Sequence, residues 1–288
     1  MAAARRDRVT PEKSTIVRII SAILRGTAPA APELAAATLE AFFRHSRRFA
    51  VPERELRWLA VAERGELVVA GRRLPTWSWG HGPAILLVHG WQGRGAQLGA
   101  FAMPLADAGY RVVTWDAPGH GANPGRLSSL PEMIDAVVAA VRAAGPVAGV
   151  VAHSVGAAAV TGALARGSVV ERAVFLAPPA EPGAYLAHAG AWLGLPPAIA
   201  ERTRRRIERR FSVRMDDLAP LAQAPRMTTP LVVVHDHEDH EVPWRDGHRL
   251  AAAWPGARLI STRGLGHRRP LRDPTVIGTA VEFLSPAP

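Results

Sequence analysis

From about residue 60 onward, short apolar runs alternate with longer stretches whose apolar residues recur every three or four positions. Short aliphatic runs suit strands buried on both faces, and the longer period suits helices with one buried side. Strands are expected at Ala84–Val88, Arg111–Trp115, Val147–Ala152, Ala173–Ala177, Leu231–Val234 and Ala257–Thr262, with a helix at Trp244–Trp254. The alternation predicts an α/β fold, a mostly parallel sheet flanked by helices. Between Pro178 and Pro230 about fifty residues intervene before the sheet resumes, more than an ordinary connection needs. A small helical cap insertion is therefore expected at about 179–229. It includes an amphipathic helix with Ile207, Phe211, Met215 and Leu218 on one side. Arg202, Arg204, Arg205, Arg206, Arg209 and Arg210 form its basic face.

Residues 1–50 read as a helical extension ahead of a domain spanning 51–288. Thr10-Pro11 has the form of a helix start, a capping hydroxyl followed by proline at the first helical position. Ile16, Ile19, Ile20, Ile23 and Leu24 then keep helical spacing opposite Arg18 and Arg25. A second helix is expected from Pro32 to about Arg47, with Leu34, Leu39, Phe42 and Phe43 inward. Packing on the domain or on a homodimer partner would cover the first apolar stripe. Peripheral membrane contact through this N-terminal helix is its other use. Arg5-Arg6 precede the apolar stretch, but Arg18 interrupts it and no clean cleavage site follows. The segment thus reads as mature protein, and the expected location is cytoplasmic.

Composition narrows the function classes. An apolar fraction of 48% over 288 residues supports a sizeable core. The absence of cysteine excludes disulfides and thiolate catalysis. No stretch reaches the roughly 18 uninterrupted apolar residues of a membrane span. The net charge of +10 would suit a nucleic-acid partner, yet Lys13 is the single lysine. That bias towards arginine looks compositional rather than a tuned surface, and no nucleic acid is expected to bind. The basic helix face reads as solvated, with attraction of an anionic substrate as the sharper alternative.

Three distant segments carry residues of hydrolytic chemistry: Ala152-His153-Ser154-Val155-Gly156, Asp239 in His-Glu-Asp-His-Glu-Val-Pro, and His267 in Gly-Leu-Gly-His. A serine hydroxyl is a poor nucleophile near neutral pH unless an imidazole takes its proton. The imidazole needs a carboxylate to fix its tautomer. Ser154 follows a strand and precedes a small, helix-forming run, so the chain must turn sharply there. His267 follows a strand and the flexible Gly264-Leu265-Gly266. His89 and His248 read as packing or surface groups. The segment His235–Glu241 holds three histidines and four carboxylates, a dense supply of metal ligands. It lacks a His-Glu-x-x-His spacing, and no metal is assigned. Gly93, Gly95 and Gly99 miss the dinucleotide-binding glycine pattern by one residue.

From about Arg57 to Leu284 the chain resembles a bacterial α/β-hydrolase. The resemblance is carried by the Ser-Asp-His order, His89-Gly90-Trp91-Gln92-Gly93, and the turn Asp116-Ala-Pro-Gly-His-Gly121. Ala152 stands where the family's serine turn has glycine. The resemblance implies Ser154 as nucleophile, His267 as base and Asp239 as acid, because Asp239, Val242 and Pro243 match Asp-x-x-Val-Pro. Asp236 and then Glu238 are the next choices of acid. It also implies oxyanion donors at the Trp91 and Val155 amides, with Gln92 as substrate-site lining; His153, beside the nucleophile, would line the site wall or pack as a hydrogen-bonded histidine. The 116–121 turn is implied to be structural. The expectation is a serine hydrolase of carboxylic esters or related acyl compounds, with a small-molecule acyl substrate and no cofactor. C–C bond hydrolysis and acyl transfer use the same triad, whereas haloalkane dehalogenation needs aspartate where Ser154 stands. A non-catalytic ligand-binding homologue is the alternative outside catalysis.

Overall fold

In the computed structural model, which describes residues 15–285, eight strands form one sheet. They are β1 (Glu63–Val69), β2 (Arg72–Trp79), β3 (Ala84–Val88), β4 (Arg111–Trp115), β5 (Val147–His153), β6 (Ala173–Leu176), β7 (Leu231–Asp236) and β8 (Arg258–Thr262). Their order across the sheet is β1-β2-β4-β3-β5-β6-β7-β8, with β3 to β8 parallel and β1 and β2 antiparallel. Each expected parallel strand is present within a residue or two. β3, β6 and β7 are buried at every position, as an aliphatic run covered on both faces must be. The β1–β2 hairpin is an addition to the expected strands. β1 exposes Glu63, Arg64, Gly65 and Glu66, and its two-residue turn at Ala70-Gly71 has φ of 46° and 76°.

The helices in chain order are α1 (Thr15–Thr27), α2 (Pro32–Arg44), α3 (Glu53–Ala60), α4 (Ala102–Asp107), α5 (Leu130–Ala144) and α6 (Val155–Ala165). They continue with α7 (Ala184–Leu193), α8 (Pro197–Phe211), α9 (Pro220–Gln223), α10 (Trp244–Ala253) and α11 (Pro274–Leu284). Two buried clusters lie on the two faces of the sheet. Met133, Ile134 and Val137 of α5, Ala157 and Val160 of α6, and Leu250 of α10 fill one. Leu105 of α4 joins Val276, Ala280 and Leu284 of α11 in the other. The chain passes from β3 to β4 on one side and then returns to place β5 on the other side of β3. In open α/β sheets ligands bind at the carboxyl ends of the strands where the order reverses in this way, here β3 and β5.

The described residues up to Phe43 and Ala184–Ser212 make one compact unit; Arg44–Gly183 and Val213 onward make the other. In the first unit the N-terminal helices pack on the helices of the long excursion after β6. Thr203 donates to the Ala36 carbonyl at 3.1 Å, and Gly190 lies against Leu39 and Ala200. The buried side of α2 is Ala35, Ala36, Leu39 and Glu40, while Leu34 is 64% exposed and Phe42 39%. Leu39 points inward as expected, whereas the exposed Leu34 and Phe42 correct the rest of that face: a small-residue surface lets α8 approach closely enough for a side-chain to backbone bond. In α1, Leu24 and Ser21 are buried and Ile19 and Ile23 are exposed. The helix start expected at Thr10-Pro11 lies outside the described residues. Among the described residues no helix is long and apolar enough to cross a membrane.

Five of the six arginines of α8, Arg202, Arg204, Arg205, Arg206 and Arg210, are ion-paired rather than merely solvated. Arg202 meets Glu33 at 2.7 Å, and the buried Glu40 accepts from Arg206 at 3.1 Å and Arg210 at 2.6 Å. Arg204 pairs with Glu208, and Arg205 with Glu201, one turn apart. Removing one partner of a buried pair destabilises strongly, although the partial exposure of both arginines here reduces the effect. Glu40→Ala is expected to cost on the order of 2 kcal/mol locally. Hydrogen exchange should show faster exchange of α2 and α8 amides, with those of β3 to β7 unchanged.

Candidate active site

Ser154 sits between β5 and α6 with φ 53° and ψ −128°, a conformation unusual for a residue with a side chain. Its N–H donates to the Leu176 carbonyl of β6 at 2.8 Å, so the sheet holds the turn in place. The turn is possible only because its neighbours are small. A methyl group on Gly156 would lie 2.5 Å from the His89 carbonyl oxygen and 2.7 Å from that of Val88; on Gly90 it would lie 2.9 Å from Ser154 Cβ. Ala152 is accommodated because it belongs to β5 itself, paired with Val88 and Phe175, with its methyl in the core. Val155 opens α6, so its N–H is among the first-turn donors that lack a helical acceptor.

The loop after β3 turns back at Gly90–Gly93, where the Gly93 N–H donates to the Gly90 carbonyl at 3.1 Å. Gln92 has φ 57°, which places Trp91 and Gln92 at the two corners of the turn. Several buried groups brace it. His89 donates from Nδ1 to the Gly90 carbonyl at 2.7 Å and accepts at Nε2 from the Ala117 N–H at 2.9 Å. His120 donates from Nδ1 to the Pro118 carbonyl, and its ring meets Trp91 edge-on at 5.0 Å. The Asp116 carboxylate accepts from the Gly95 and Ala122 N–H groups at 2.8 and 2.7 Å. Asp116 and His120 therefore tie two loops together, the structural part implied for this turn.

His267 and Asp239 meet at the carboxyl ends of β7 and β8. His267 Nδ1 lies 2.7 Å from Asp239 Oδ2, and both side chains are buried. The other carboxylate oxygen accepts from the Glu241 and Val242 N–H groups, each at 2.8 Å. Burial alone would raise the pKa of Asp239. Hydrogen bonds from His235 and His267 and the backbone outweigh burial and hold the carboxyl well below the usual range. Asp236 is engaged elsewhere: its Oδ2 accepts from Thr262 Oγ1 at 2.7 Å and from the Leu265 N–H at 3.0 Å. It thereby anchors the loop that leads to His267. Glu238 is exposed, His237 stacks on Trp244 at 4.4 Å, and among the described residues no group of three or more ligand side chains converges as a metal ion requires.

His153, beside Ser154, joins the two halves. Its Nε2 donates to the His267 carbonyl at 3.0 Å, and the two rings lie 4.7 Å apart. The loop that carries His267 is thus fastened directly to the Ser154 turn. A model of the alpha/beta hydrolase family matches residues 85–278, which span the Ser154 turn, Asp239 and His267. The chain belongs to the alpha/beta hydrolase family.

Several solved structures share the fold of this alpha/beta hydrolase. Est816, described as an N-acyl homoserine lactone degrading enzyme, is 19% identical with a TM-score of 0.60, over 76% of this chain and 99% of its own. Esterase RhEst1 from Rhodococcus sp. ECU1013 is 20% identical with a TM-score of 0.56, over 77% and 98%. The meta-cleavage product hydrolase from Pseudomonas fluorescens IP01 is 19% identical with a TM-score of 0.56, over 76% and 96%. A search of curated proteins found no match.

Two contacts in this hydrolase have no counterpart in the sequence reading, Asp236 on the Leu265 loop and His235 on Asp239. Both residues end a strand, which was the available signal, but only the fold shows which loop each side chain meets. The buried histidines also set the acid stability. Burial, reinforced by Arg94, pushes His89 down to about 4. Burial and His89 push His120 down to about 3, and burial and His267 hold His153 well below its ordinary value. In the unfolded chain these imidazoles take protons near pH 6.5. Below that pH the unfolded state binds more protons, so stability is full above about 6.5 and is lost as pH falls toward 4. His89 alone accounts for about 3 kcal/mol of that loss. Asp239, held low, adds to it only below about pH 4. The melting temperature should drop steeply between pH 6.5 and 4.5.

Proposed function

We propose that this alpha/beta hydrolase is a serine hydrolase acting on carboxylic esters or related acyl compounds. The reading rests chiefly on one arrangement: a buried Asp239–His267 pair fastened through His153 to the turn that presents Ser154. Ser154 Oγ attacks the acyl carbon as its proton passes to His267 Nε2. Asp239, on Nδ1, keeps the tautomer that leaves Nε2 free to accept and stabilises the imidazolium. The oxyanion that forms is held by the Val155 and Trp91 N–H groups. Collapse of the tetrahedral adduct breaks the bond to the leaving group, which takes the proton from Nε2 and departs, leaving an acyl-Ser154. Water gives a proton to His267, attacks the acyl carbon, and the carboxylic acid leaves with the proton returned to Ser154. Every proton is moved by a side chain of this protein, and the cycle needs no cofactor. Gln92, at the corner beside Trp91, is assigned to the substrate wall.

A panel of nitrophenyl esters of increasing acyl length tests the reading. Turnover with an initial burst of about one nitrophenol per chain is expected, the mark of a slow deacylation step. Cleavage of a vinylogous diketone with inert esters would replace the ester assignment by C–C hydrolysis. Stoichiometric binding of the whole panel without turnover would overturn the catalytic assignment.

A further inference from the structure

One buried imidazole stands next to the triad without belonging to it. His235, on β7, is completely buried. Its Nε2 lies 3.0 Å from the Val242 carbonyl and 3.3 Å from Asp239 Oδ2. Both neighbours are acceptors, so Nε2 carries the hydrogen and shares it between them. Asp239 Oδ2 therefore meets two imidazoles, His267 at 2.7 Å and His235 at 3.3 Å. On the other side of the ring, Nδ1 is buried with no hydrogen-bond partner among the described residues. The α10 backbone presses against it, such that a methyl on Gly247 would lie 2.3 Å from Nδ1. An unpaired buried ring nitrogen is destabilising. Packing alone would be served as well by a phenyl ring, and what histidine adds here is the Nε2–H.

We propose that His235 is a positioning residue for the catalytic pair: its Nε2–H aims Asp239 at His267 and withdraws part of the carboxylate charge from the oxygen that His267 uses. The proposal rests on the serine-hydrolase reading given above. Two consequences follow from the geometry. Without that donor, Asp239 keeps its bonds to the Glu241 and Val242 N–H groups but is free to rotate about them, so the Asp239–His267 alignment loosens. The carboxylate also carries more charge toward His267, which favours the protonated, inactive base and moves the acid limb of activity to higher pH. Other charged or titratable groups facing this set are His153 against His267, Asp236 on the Leu265 loop, Arg268 paired with Glu241, and Asp246 of α10 beside His235. All of them stay in place in the variants below.

The experiment is the rate of covalent labelling by a fluorophosphonate between pH 5 and 9, on wild type, His235→Phe, His235→Gln and Gly247→Ala. His235→Phe should lower the plateau rate about tenfold and move the acid limb to higher pH. His235→Gln, whose side-chain amide reaches the place of Nε2 and donates, should restore most of both. Gly247→Ala presses the ring from its Nδ1 side toward the Val242 carbonyl and Asp239, so the donor is kept and the limb should not follow that of His235→Phe. A purely structural role would lower the melting temperature and leave the limb where it is. That result overturns the proposal, as does a folded His235→Gln that behaves like His235→Phe. If His235→Phe does not fold, His235→Leu, which also removes the donor, is profiled in its place, and an acid limb left at the wild-type position overturns the proposal. Wild type that does not label removes the serine-hydrolase reading and this proposal together. Wild type that labels alongside an unchanged His235→Phe profile removes the role of His235 alone.

Discussion

Ser154→Ala is expected to lower kcat toward a nitrophenyl ester about a million-fold while leaving the melting temperature within a degree or two. The size follows from the proposed chemistry, since no other hydroxyl stands at the turn where β5 enters α6 and the acyl-enzyme cannot form without one. The near-constant stability follows from the local structure. The Ser154 side chain caps no helix N–H, its backbone holds φ 53° through its sheet bond and its small neighbours, and alanine meets the same constraint. Stopped-flow and steady-state assays beside a thermal melt check both halves. A variant that retains a tenth of the activity would place the nucleophile elsewhere.

Asp239→Asn should cost about a thousand- to ten-thousand-fold in kcat, with KM little changed. The asparagine oxygen can still accept from the Glu241 and Val242 N–H groups, so the loop keeps its shape. Its NH2 then faces His267 Nδ1 and favours the tautomer with the hydrogen on Nε2, the one that cannot take a proton from Ser154. Asp236→Asn is the control among the candidate acids. It disturbs an anchor rather than the base: the Thr262 and Leu265 bonds weaken, the loop loosens, and kcat should fall less than about tenfold while the melting temperature drops. Reversal of these two outcomes would make Asp236 the acid.

How far the site was legible depends on which physical constraint each residue obeys. β3, β5 and β7 announce themselves because a strand covered on both faces has no polar side to show. Ser154 and Gly156 are legible because close backbone approach excludes side chains, and this constraint is local in sequence. Asp239 could be chosen among crowded carboxylates through the spacing to Val242 and Pro243, and the same spacing brings the Val242 N–H onto its carboxylate. What stayed hidden is nonlocal. The polar residues of β1 carry no strand pattern; Leu67 and Val69 are buried because α5 and β2 lie next to them. Arg202, Arg206 and Arg210 of α8 looked like part of a cationic face because their acids, Glu33 and Glu40, stand 166 to 170 residues earlier in the chain. The buried face of α2 was misread because closeness to α8 favours Ala35 and Ala36 over the larger Leu34 and Phe42. His235 offered only a strand-end position until the fold placed Asp239 beside it.

The most direct test of the central claim is intact-mass analysis after treatment with a fluorophosphonate, followed by peptide mapping, on wild type and Ser154→Ala in parallel. One adduct per wild-type chain is expected, located on the peptide that contains Ser154, and none on the variant. No adduct on folded wild type, or an adduct that persists in Ser154→Ala, would contradict it.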